Sequence, residues 1–390
     1  MCRGTKIIAV CVSFLMLAVL STPIFARGPK NAHAHGGKNF HAGAVYVLTN
    51  QTNNSVAVFR HDAKGGLTSA GEFPTGGAGD PTPQPPDPNT DPLASEGALI
   101  LGRGNQHLFA VNAGSNQISV LKINKDTLTM VDVVDSGGVR PISLALHDNL
   151  LYVLNEGGTP NITGFTIEDD GTLTPLAGST QPLIGAAGAD PAQIGFSHDG
   201  TLLVVTEKNG NRLDTYTIDD NGLPSAPINN ASNGMTPFGF AFTNADTLVV
   251  SEAFGGAPNQ GAVSSYSAPD SGMLSVISGS VANSQTAPCW VVTTNNGKFA
   301  FVSNTGSGSI SSYRVNAENG SLTLLNSMAA TTGMGSAPID IALSVNSRIL
   351  FGLVAGTQSV ASFRIGANGS LTPVSSVGGL PLGAQGIAAK

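Results

Sequence analysis

The tetrapeptide Asp170-Gly171-Thr172-Leu173 is one of seven copies of a short phrase in which a polar turn leads into a leucine. The other copies are Lys64-Gly65-Gly66-Leu67, Lys125-Asp126-Thr127-Leu128, Asn221-Gly222-Leu223, Ser271-Gly272-Met273-Leu274, Asn319-Gly320-Ser321-Leu322 and Asn368-Gly369-Ser370-Leu371. Successive leucines are 61, 45, 50, 51, 48 and 49 residues apart. A repeat of ~50 residues is the size of one four-stranded propeller blade. The spacing therefore predicts one structural unit copied seven times around a ring.

Each repeat contains the same order of predicted strands. An inner strand follows a proline, and a continuously apolar second strand such as Leu202-Leu203-Val204-Val205 comes next. An alternating third strand such as Leu213-Asp214-Thr215-Tyr216 then precedes the leucine phrase and the fourth strand. Continuous apolarity indicates burial on both faces, as between adjacent blades. The sequence predicts an all-β fold, a seven-bladed β-propeller with four antiparallel strands per blade.

The ring is predicted to close through the end of the chain. Inner strands begin at Pro141, Pro191, Pro237, Pro288 and Pro338, with a degenerate start near Glu96. That makes six inner strands for seven sets of the other three. The segment Ala384-Gln385-Gly386-Ile387-Ala388 matches the inner strand at Pro338, so we expect it to complete the first blade and remove its exposed edge.

Residues 43–390 form the predicted propeller, and one insertion interrupts it. The long interval of 61 residues contains residues 74–96, which are rich in Pro, Asp and Gly and unsuited to strand. Such a loop is either a functional lid or a tolerated surface insertion. It lies between blades one and two, where it could overhang one mouth of the central channel.

The N-terminus has the pattern of an export signal. Arg3 and Lys6 precede an apolar run from Ile7 to Leu20, which is followed by Ser-Thr-Pro and Ile24-Phe25-Ala26. Residues 1–26 are therefore predicted to be a cleaved signal peptide, too short in its apolar part for a membrane anchor. The mature protein is expected to be secreted or periplasmic and not held in a membrane.

A polar leader, residues 27–42, follows the predicted signal. It carries His33, His35 and His41 without an accompanying carboxylate or cysteine, which favours a disordered segment over a metal site. No metal is assigned to this chain.

Composition and charge exclude several classes of function. Charged residues make up 11% of the chain, and the formal charge of −7 becomes −9 when Arg3 and Lys6 leave with the signal. An acidic chain without a basic cluster is unsuited to nucleic acid. No phosphate-binding loop or other cofactor motif is present, so no cofactor is expected. We expect a monomer that acts on a small molecule.

Aligning the inner strands on their prolines places one residue from each in a ring around the axis. The ring consists of Ser143, Gln193, Gly239, Trp290 and Asp340, with Ala98 and Gly386 at the weaker positions. These residues either line a ligand-binding funnel or simply plug the channel. Ser143, Gln193, Trp290 and Asp340 combine hydrogen-bonding groups with one aromatic surface, which suits a polar, carbohydrate-like or lactone ligand.

Three glutamates occur where consecutive second strands end, namely Glu156, Glu207 and Glu252. Interpreted as sharing one blade position, they would meet at one mouth of the funnel and supply a general acid or base. The alternative is that each caps the turn after its own strand. Arg140 and Arg212 are the nearby cations that could bind an anionic ligand, and Lys208 is a more exposed candidate.

The sevenfold phrase, the inner strand from Asp190 to Gly200 and the strand end Tyr152-Val153-Leu154-Asn155-Glu156 resemble the seven-bladed propeller lactonase family. That family contains 6-phosphogluconolactonase-like and carboxymuconate-cyclase-like proteins, and the segment Ala287-Pro288-Cys289-Trp290 resembles an exported branch of it. Glu207 matches the family's glutamate position. Gln193 stands where a family histidine is expected, and no histidine occupies a ring position.

The resemblance leaves two functions open. In the first, the protein is an exported hydrolase of a sugar-type or aromatic-derived lactone. Glu207, with Glu252, would then activate water while Arg212 or Arg140 stabilises the oxyanion. In the second, it is a non-catalytic propeller that binds a ligand or a protein at the funnel mouth.

Overall fold

A computed structural model of the chain describes residues 42–82 and 91–390. The predicted signal peptide, the leader up to residue 41 and the middle of the predicted insertion lie outside the described residues. The three helices in the described part are short 3-10 turns, Ala186–Gly188, Phe254–Gly256 and Ala355–Thr357. None of them is long enough to cross a membrane.

The described chain forms seven antiparallel sheets arranged as the blades of a propeller. Blade 1 contains β1 (Gly43–Leu48), β2 (Ser55–His61), β3 (Leu67–Pro74) and β29 (Ile387–Ala389). Blade 2 contains β4 (Leu99–Gly102), β5 (His107–Asn112), β6 (Gln117–Asn124) and β7 (Thr127–Asp135). Blade 3 contains β8 (Val139–His147), β9 (Leu150–Gly157), β10 (Asn161–Ile167), β11 (Leu173–Pro175) and β12 (Gln181–Pro182). Its outer edge is divided, because β11 and β12 both pair with β10.

The remaining blades each have four strands. Blade 4 contains β13 (Pro191–Phe196), β14 (Leu202–Glu207), β15 (Arg212–Thr217) and β16 (Ile228–Ala231). Blade 5 contains β17 (Pro237–Phe242), β18 (Thr247–Glu252), β19 (Ala262–Ser267) and β20 (Ser275–Ala282). Blade 6 contains β21 (Pro288–Thr293), β22 (Phe299–Asn304), β23 (Ser309–Val315) and β24 (Leu322–Thr331). Blade 7 contains β25 (Pro338–Leu343), β26 (Ile349–Val354), β27 (Ser359–Ile365) and β28 (Leu371–Gly378).

The C-terminal strand closes the ring as predicted. β29 pairs with β1, with Val47 opposite Ile387 and Val45 opposite Ala389. The main-chain N–H of Leu48 also donates to the carbonyl of Gly386 at 3.1 Å. The seven-bladed architecture is thereby confirmed, and the first and last strands of the described chain share one sheet.

The recurring leucine phrase is explained by contacts between blades. A polar side chain of the preceding blade accepts the leucine N–H in four cases, from Leu67 to Ser375, Leu173 to Asp132, Leu274 to Asn230 and Leu322 to Ser278. The phrase glycines are held at positive φ, for example 78° at Gly222. A Cβ on Gly222 would come within 2.7 Å of Leu150 in the preceding blade. Glycine is therefore required both by the turn and by the neighbouring blade.

The register defines two faces of the ring. We call the face at which the second strands begin the lower face and the face at which they end the upper face. The inner strands run in the opposite direction, from the upper face to the lower face. The inner strands shift register near their starts, for example between Pro191 and Ile194 in β13 and between Pro237 and Phe240 in β17. The predicted ring residues fall at or beside these bulges, and a bulge redirects the side chain that it carries.

Candidate active site

The end of the insertion enters the central channel. Residues 91–96, called the plug segment here, place the side chains of Leu93 and Ser95 out of contact with solvent. The carbonyl of Ser95 accepts hydrogen bonds from Trp290 Nε1 at 3.1 Å and from Gln385 Nε2 at 3.0 Å. Its hydroxyl donates to the carbonyl of Ile142 at 2.8 Å. One residue thus joins blades 1, 3 and 6 across the axis.

The predicted ring residues join neighbouring inner strands. Ser143 Oγ accepts from the N–H of Ile194 at 3.2 Å, and Asp340 Oδ2 accepts from the N–H of Ile387 at 3.1 Å. The amide group of Gln193 both accepts from the N–H of Phe240 at 2.6 Å and donates to its carbonyl at 3.0 Å. These side chains are already hydrogen-bonded to protein.

Blade 5 lacks such a side chain, because Gly239 occupies its ring position. Glu96 of the plug segment makes the corresponding hydrogen bond instead, because its Oε2 accepts from the N–H of Val291 in blade 6 at 3.3 Å. A Cβ on Gly239 would come within 2.1 Å of that oxygen. The glycine therefore makes room for the plug segment.

Two carboxyl groups are buried on the axis as a result. Burial and the neighbouring Asp340 raise the pKa of Glu96 well above its usual range. Burial likewise raises the pKa of Asp340. Burial on the axis therefore favours the protonated form of both carboxyl groups.

At the upper mouth, the predicted cations Arg140 and Lys208 hold the plug segment in place. Arg140 donates to the carbonyl of Pro92 at 2.7 Å and pairs with Asp80 at 2.9 Å and with Glu156. Lys208 donates to the carbonyl of Ala94 at 2.8 Å and pairs with Asp190 at 3.1 Å. Both cations are thus already paired with carboxylates of the chain.

The register shows that Glu156 does not share the blade position of Glu207 and Glu252. Glu207 lies opposite Pro191 and Glu252 opposite Pro237, whereas Pro141 lies opposite Asn155. Glu156 comes one residue later, and a shift of one residue turns a strand side chain to the other face. The prediction that the three glutamates share one blade position was wrong for Glu156, which instead forms the ion pair with Arg140.

The true shared position carries a repeated polar pair. The last residue of the second strand bonds to a hydroxyl residue of the third strand in blades 2, 5 and 6, as Asn112 with Ser119, Glu252 with Ser264 and Asn304 with Ser311. In blade 5 the Glu252 carboxylate also accepts from the N–H of Gly234 at 2.8 Å and from Ser280 Oγ at 2.7 Å. Both of its oxygens are therefore occupied, although burial raises its pKa.

Blade 4 departs from this pattern, because Glu207 and Asp214 put two carboxyl groups where blades 2, 5 and 6 have a carboxylate or amide and a hydroxyl. Both side chains are fully buried. The loop before blade 4 holds one oxygen of each, through the N–H of Gly185 to Glu207 Oε1 at 2.9 Å and the N–H of Ile184 to Asp214 Oδ2 at 2.8 Å. Glu207 Oε2 and Asp214 Oδ1 receive no hydrogen bond from an N–H or hydroxyl group of the described residues, and the two carboxyl groups bond to each other when one of them holds a proton.

The two carboxyl groups of this pair lie in different electrostatic surroundings. Burial and then the neighbouring Glu207 raise the pKa of Asp214 to about 8, so Asp214 holds a proton at neutral pH. Arg212 Nε lies 3.4 Å from Glu207 Oε2, and its side chain is 25% exposed whereas that of Glu207 is 0% exposed. A cation, a carboxylate and a carboxylic acid thus meet in one place, with solvent contact through Arg212.

Asp214 was missed from the sequence because its strand fits an ordinary alternating pattern. The signal was present in the alignment of repeats, where the same register carries a small uncharged residue in each of the other six blades, namely Ala57, Ser119, Thr163, Ser264, Ser311 and Ala361. An acid among small uncharged residues at a buried position is a local departure of the kind that functional sites show.

The lower mouth of the channel forms a cavity of about 430 Å³. Gln193, His147 and His198 contribute polar groups to it, and the ends of the inner strands of blades 2 to 5 supply the apolar wall. The C-terminal ends of the inner strands converge here, so the turns that follow them, which carry His147 and His198, border the channel. In the described part of the chain, no three His, Cys, Asp or Glu residues are grouped so as to hold a metal ion.

Comparison with known proteins agrees with this architecture. A family model described as "Lactonase, 7-bladed beta-propeller" matches residues 35–182, 82–253 and 253–381. Over 127 residues the chain is 32% identical to a 6-phosphogluconolactonase of Yersinia pestis, which is 32% of this chain and 35% of that protein. The match thus spans about a third of the length of these curated relatives.

Two solved structures share the fold at low sequence identity. A protein from Lactobacillus plantarum superposes with a TM-score of 0.68 at 17% identity, covering 90% of this chain and 100% of the other. A periplasmic gluconolactonase of Pseudomonas aeruginosa gives a TM-score of 0.66 at 15% identity, covering 89% and 98%. The family match extends over most of the chain, and the sheets, their number and their closure agree with it. The chain belongs to the seven-bladed β-propeller lactonase family.

Proposed function

We propose that this protein hydrolyses a sugar-type lactone and that the reaction takes place at Glu207, Asp214 and Arg212. The observation that carries the proposal is the carboxyl pair of blade 4, which stands where blades 2, 5 and 6 have a carboxylate–hydroxyl or amide–hydroxyl pair. Family membership supplies the reaction class, and the two named lactonases among its relatives act on sugar lactones. The predicted signal peptide would place this activity outside the cytoplasm.

The proposal gives a role to each side chain. The Glu207 carboxylate takes a proton from water as the water oxygen attacks the lactone carbonyl carbon. The Arg212 guanidinium stabilises the negative charge that develops on the carbonyl oxygen. When the ring C–O bond breaks, protonated Asp214 donates its proton to the leaving alkoxide, which gives the open hydroxy acid. Two carboxyl groups with different pKa values are what such a division of roles requires.

The proposal places the reaction at Glu207 rather than at Glu252. Both glutamates are fully buried and share one register position. The oxygens of Glu252 are all engaged by Gly234, Ser264 and Ser280, whereas Glu207 accepts from the Gly185 N–H and otherwise faces Arg212 and the carboxyl group of Asp214. Glu252 is therefore a matched comparison for Glu207.

The test uses the sharpest substitution that the repeat offers. Asp214→Ser gives blade 4 the glutamate–serine pair found in blade 5, so the variant should fold normally. Hydrolysis of glucono-δ-lactone and 6-phosphogluconolactone is followed by pH-stat, with the spontaneous rate subtracted. We expect Asp214→Ser and Glu207→Gln each to lower kcat by about 10²–10⁴-fold. Glu252→Gln is compared with them at equal folded fraction.

Two results would contradict the proposal. One is a rate for folded Asp214→Ser equal to that of the native protein on a lactone that the native protein hydrolyses. The other is a loss in Glu252→Gln as large as the loss in Glu207→Gln.

A second function, ligand binding without catalysis, is favoured by the cavity at the lower mouth. Its volume of about 430 Å³ and its apolar wall with a few polar groups are typical of small-molecule sites. A native protein that hydrolyses no lactone but binds gluconolactone or a related sugar, with weaker binding in His147→Ala, would support this function instead.

A further inference from the structure

The lower face carries a second, larger cleft, between blades 2 and 3. Its volume is about 690 Å³, and Arg103, His107, Lys122, Asp148 and Asp169 are among the residues that line it. The cleft is far from the candidate active site along the strands, because His107 begins β5 at the lower face and Glu207 ends β14 at the upper face. It is therefore not part of the proposed reaction site.

His107 is the unusual residue in this cleft. Its side chain is only 7% exposed, and neither ring nitrogen has a hydrogen-bond partner among the described residues. Burial, together with the charges of Arg103 and Lys122, lowers its pKa, so the ring is neutral near pH 7. A neutral imidazole offers one N–H donor and one acceptor nitrogen. Buried polar atoms of this kind normally have partners, so their absence here points to a group that the protein itself does not supply.

The two walls of the cleft differ in charge. The blade 2 wall carries His107, Arg103 and Lys122. Arg103 is fixed by donating to the carbonyls of Glu168 and Asp169, and Lys122 forms no ion pair with any residue in the described ranges. The blade 3 wall carries the exposed carboxylates Asp148, Asp169 and Asp170. A ligand that spans the cleft would therefore meet cations on one side and acceptors of hydroxyl hydrogen bonds on the other.

We infer that this cleft binds a small hydroxylated anion of the sugar-acid or sugar-phosphate class. Its carboxylate or phosphate pairs with Lys122 and Arg103, and one of its hydroxyls bonds to His107. The remaining hydroxyls donate to Asp148 and Asp169. Carboxylates accept such bonds well, whereas they would repel a second anionic group on that side. A hydroxylated anion fits both walls, and a simple anion fits only one.

The inference is tested by calorimetry on the full mature protein. Gluconate and 6-phosphogluconate are the two hydroxylated anions, inorganic phosphate is the simple anion, and glucose is the neutral sugar. We expect at least one hydroxylated anion to bind more tightly than both phosphate and glucose, and the tighter of the two identifies the acidic group. Lys122→Gln should weaken this binding by about tenfold or more.

Lys125→Gln is the matched control, because Lys125 is an exposed lysine three residues further along the chain. It should leave the affinity unchanged. Perturbation of the His107 ring nitrogens by the bound anion, followed by NMR, reports contact with the imidazole independently of any variant. Absence of binding by both hydroxylated anions, or equal affinities for Lys122→Gln and Lys125→Gln, would overturn the inference.

Binding to the Glu207→Gln variant separates this inference from the proposed hydrolysis. Unchanged affinity in that variant, together with weaker binding in Lys122→Gln, places the anion in the cleft. Affinity that is lost in Glu207→Gln and retained in Lys122→Gln places the anion at the blade 4 cluster and overturns the inference. Hydrolysis by the native protein is measured separately, so either proposal can fail without the other.

Discussion

Trp290 donates its indole N–H to the main-chain carbonyl of Ser95, which lies 3.1 Å away and 195 positions earlier in the sequence. The bond joins blade 6 to a segment that enters the channel between blades 1 and 2. The tryptophan predicted to face a ligand is thereby engaged with the protein's own chain, and it is fully buried. The channel is filled from the upper side by a part of the insertion.

Fluorescence reports directly on this arrangement, because Trp290 is the only tryptophan in the chain. We expect emission from the folded protein to be shifted to the blue and to resist quenching by iodide, since the indole is removed from water. Unfolding in urea should shift the emission to the red. Emission near that of free tryptophan in the folded protein, with full quenching, would contradict the burial.

The plug segment should contribute strongly to stability. Leu93→Ala removes a fully buried side chain from the channel and leaves a cavity, so the free energy of unfolding should fall by about 2–5 kcal/mol. The change is measured by urea unfolding with circular dichroism. Val139→Ala, at an exposed position of blade 3, is the control and should cost little. An insertion that only lies on the surface would give equal values for the two variants.

The axial carboxyl groups predict that stability falls as the pH rises. Glu96 and Asp340 have raised pKa values in the folded state, so the folded protein holds protons that the unfolded chain has released. Their contribution is complete below the ordinary carboxyl pKa of about 4 and declines above it. Asp214, whose folded pKa is about 8, acts in the same direction up to that pH.

The dependence is measured as the free energy of unfolding between about pH 5 and pH 8, the range that these pKa values define. Asp340→Asn keeps an acceptor oxygen for the N–H of Ile387 but cannot ionise, so it should reduce the slope. Asp220→Asn, at an exposed position, is the control. An unchanged slope in Asp340→Asn would show that this carboxyl group has the same pKa in the folded and the unfolded protein, which contradicts the prediction.

Removal of the Glu252 side chain should lower the free energy of unfolding more than removal of the Glu156 side chain, although both lie at or next to the end of a second strand. Glu252→Ala leaves the N–H of Gly234 and the hydroxyls of Ser264 and Ser280 without their acceptor, and we expect a loss of about 3 kcal/mol or more. Glu156→Ala removes one partner of an ion pair that is accessible to solvent and leaves Arg140 paired with Asp80, so about 1 kcal/mol is expected. Thermal denaturation of both variants checks the difference, and equal losses would contradict the register.

Removal of the last strand should open the ring. Truncation after Gly383 deletes β29 and leaves β1 with an unpaired inner edge. We expect a large fall in the melting temperature and association of the truncated protein, because an exposed strand edge pairs with other chains. Size-exclusion chromatography and calorimetry test this expectation. A monomeric truncated protein with native stability would rule out a role for closure.

Much of the fold could be predicted from the sequence because the repeat is internal evidence. Seven copies of the leucine phrase gave the number of blades, and the count of inner strands gave the closure by β29. The positions of Glu207 and Glu252 at equivalent strand ends were found in the same way. Their equivalence with Glu156 failed by one residue, because the alignment of strand ends had no information on register. The opposing proline settles that register in the structure.

The site was less predictable, because its essential contacts join residues that are distant in sequence. The pairing of Asp214 with Glu207 depends on two strands lying side by side, and Glu96 reaches the space left by Gly239 only after an insertion folds into the channel. The lower cleft depends on the gap between two blades. No local pattern of apolar and polar residues predicts any of these.

The pairing of β29 with β1 also fixes an order in time. The first blade is begun by residues 43–74 and finished by residues 387–389, so during synthesis it waits for nearly the whole chain to leave the ribosome. Until then the inner edge of β1 has no partner strand from this blade. The hydrogen bonds of Gln385 with Leu93 and Ser95 form at the same late stage. The closing of the ring and the filling of its channel are therefore expected to be one final, slow step of folding rather than two.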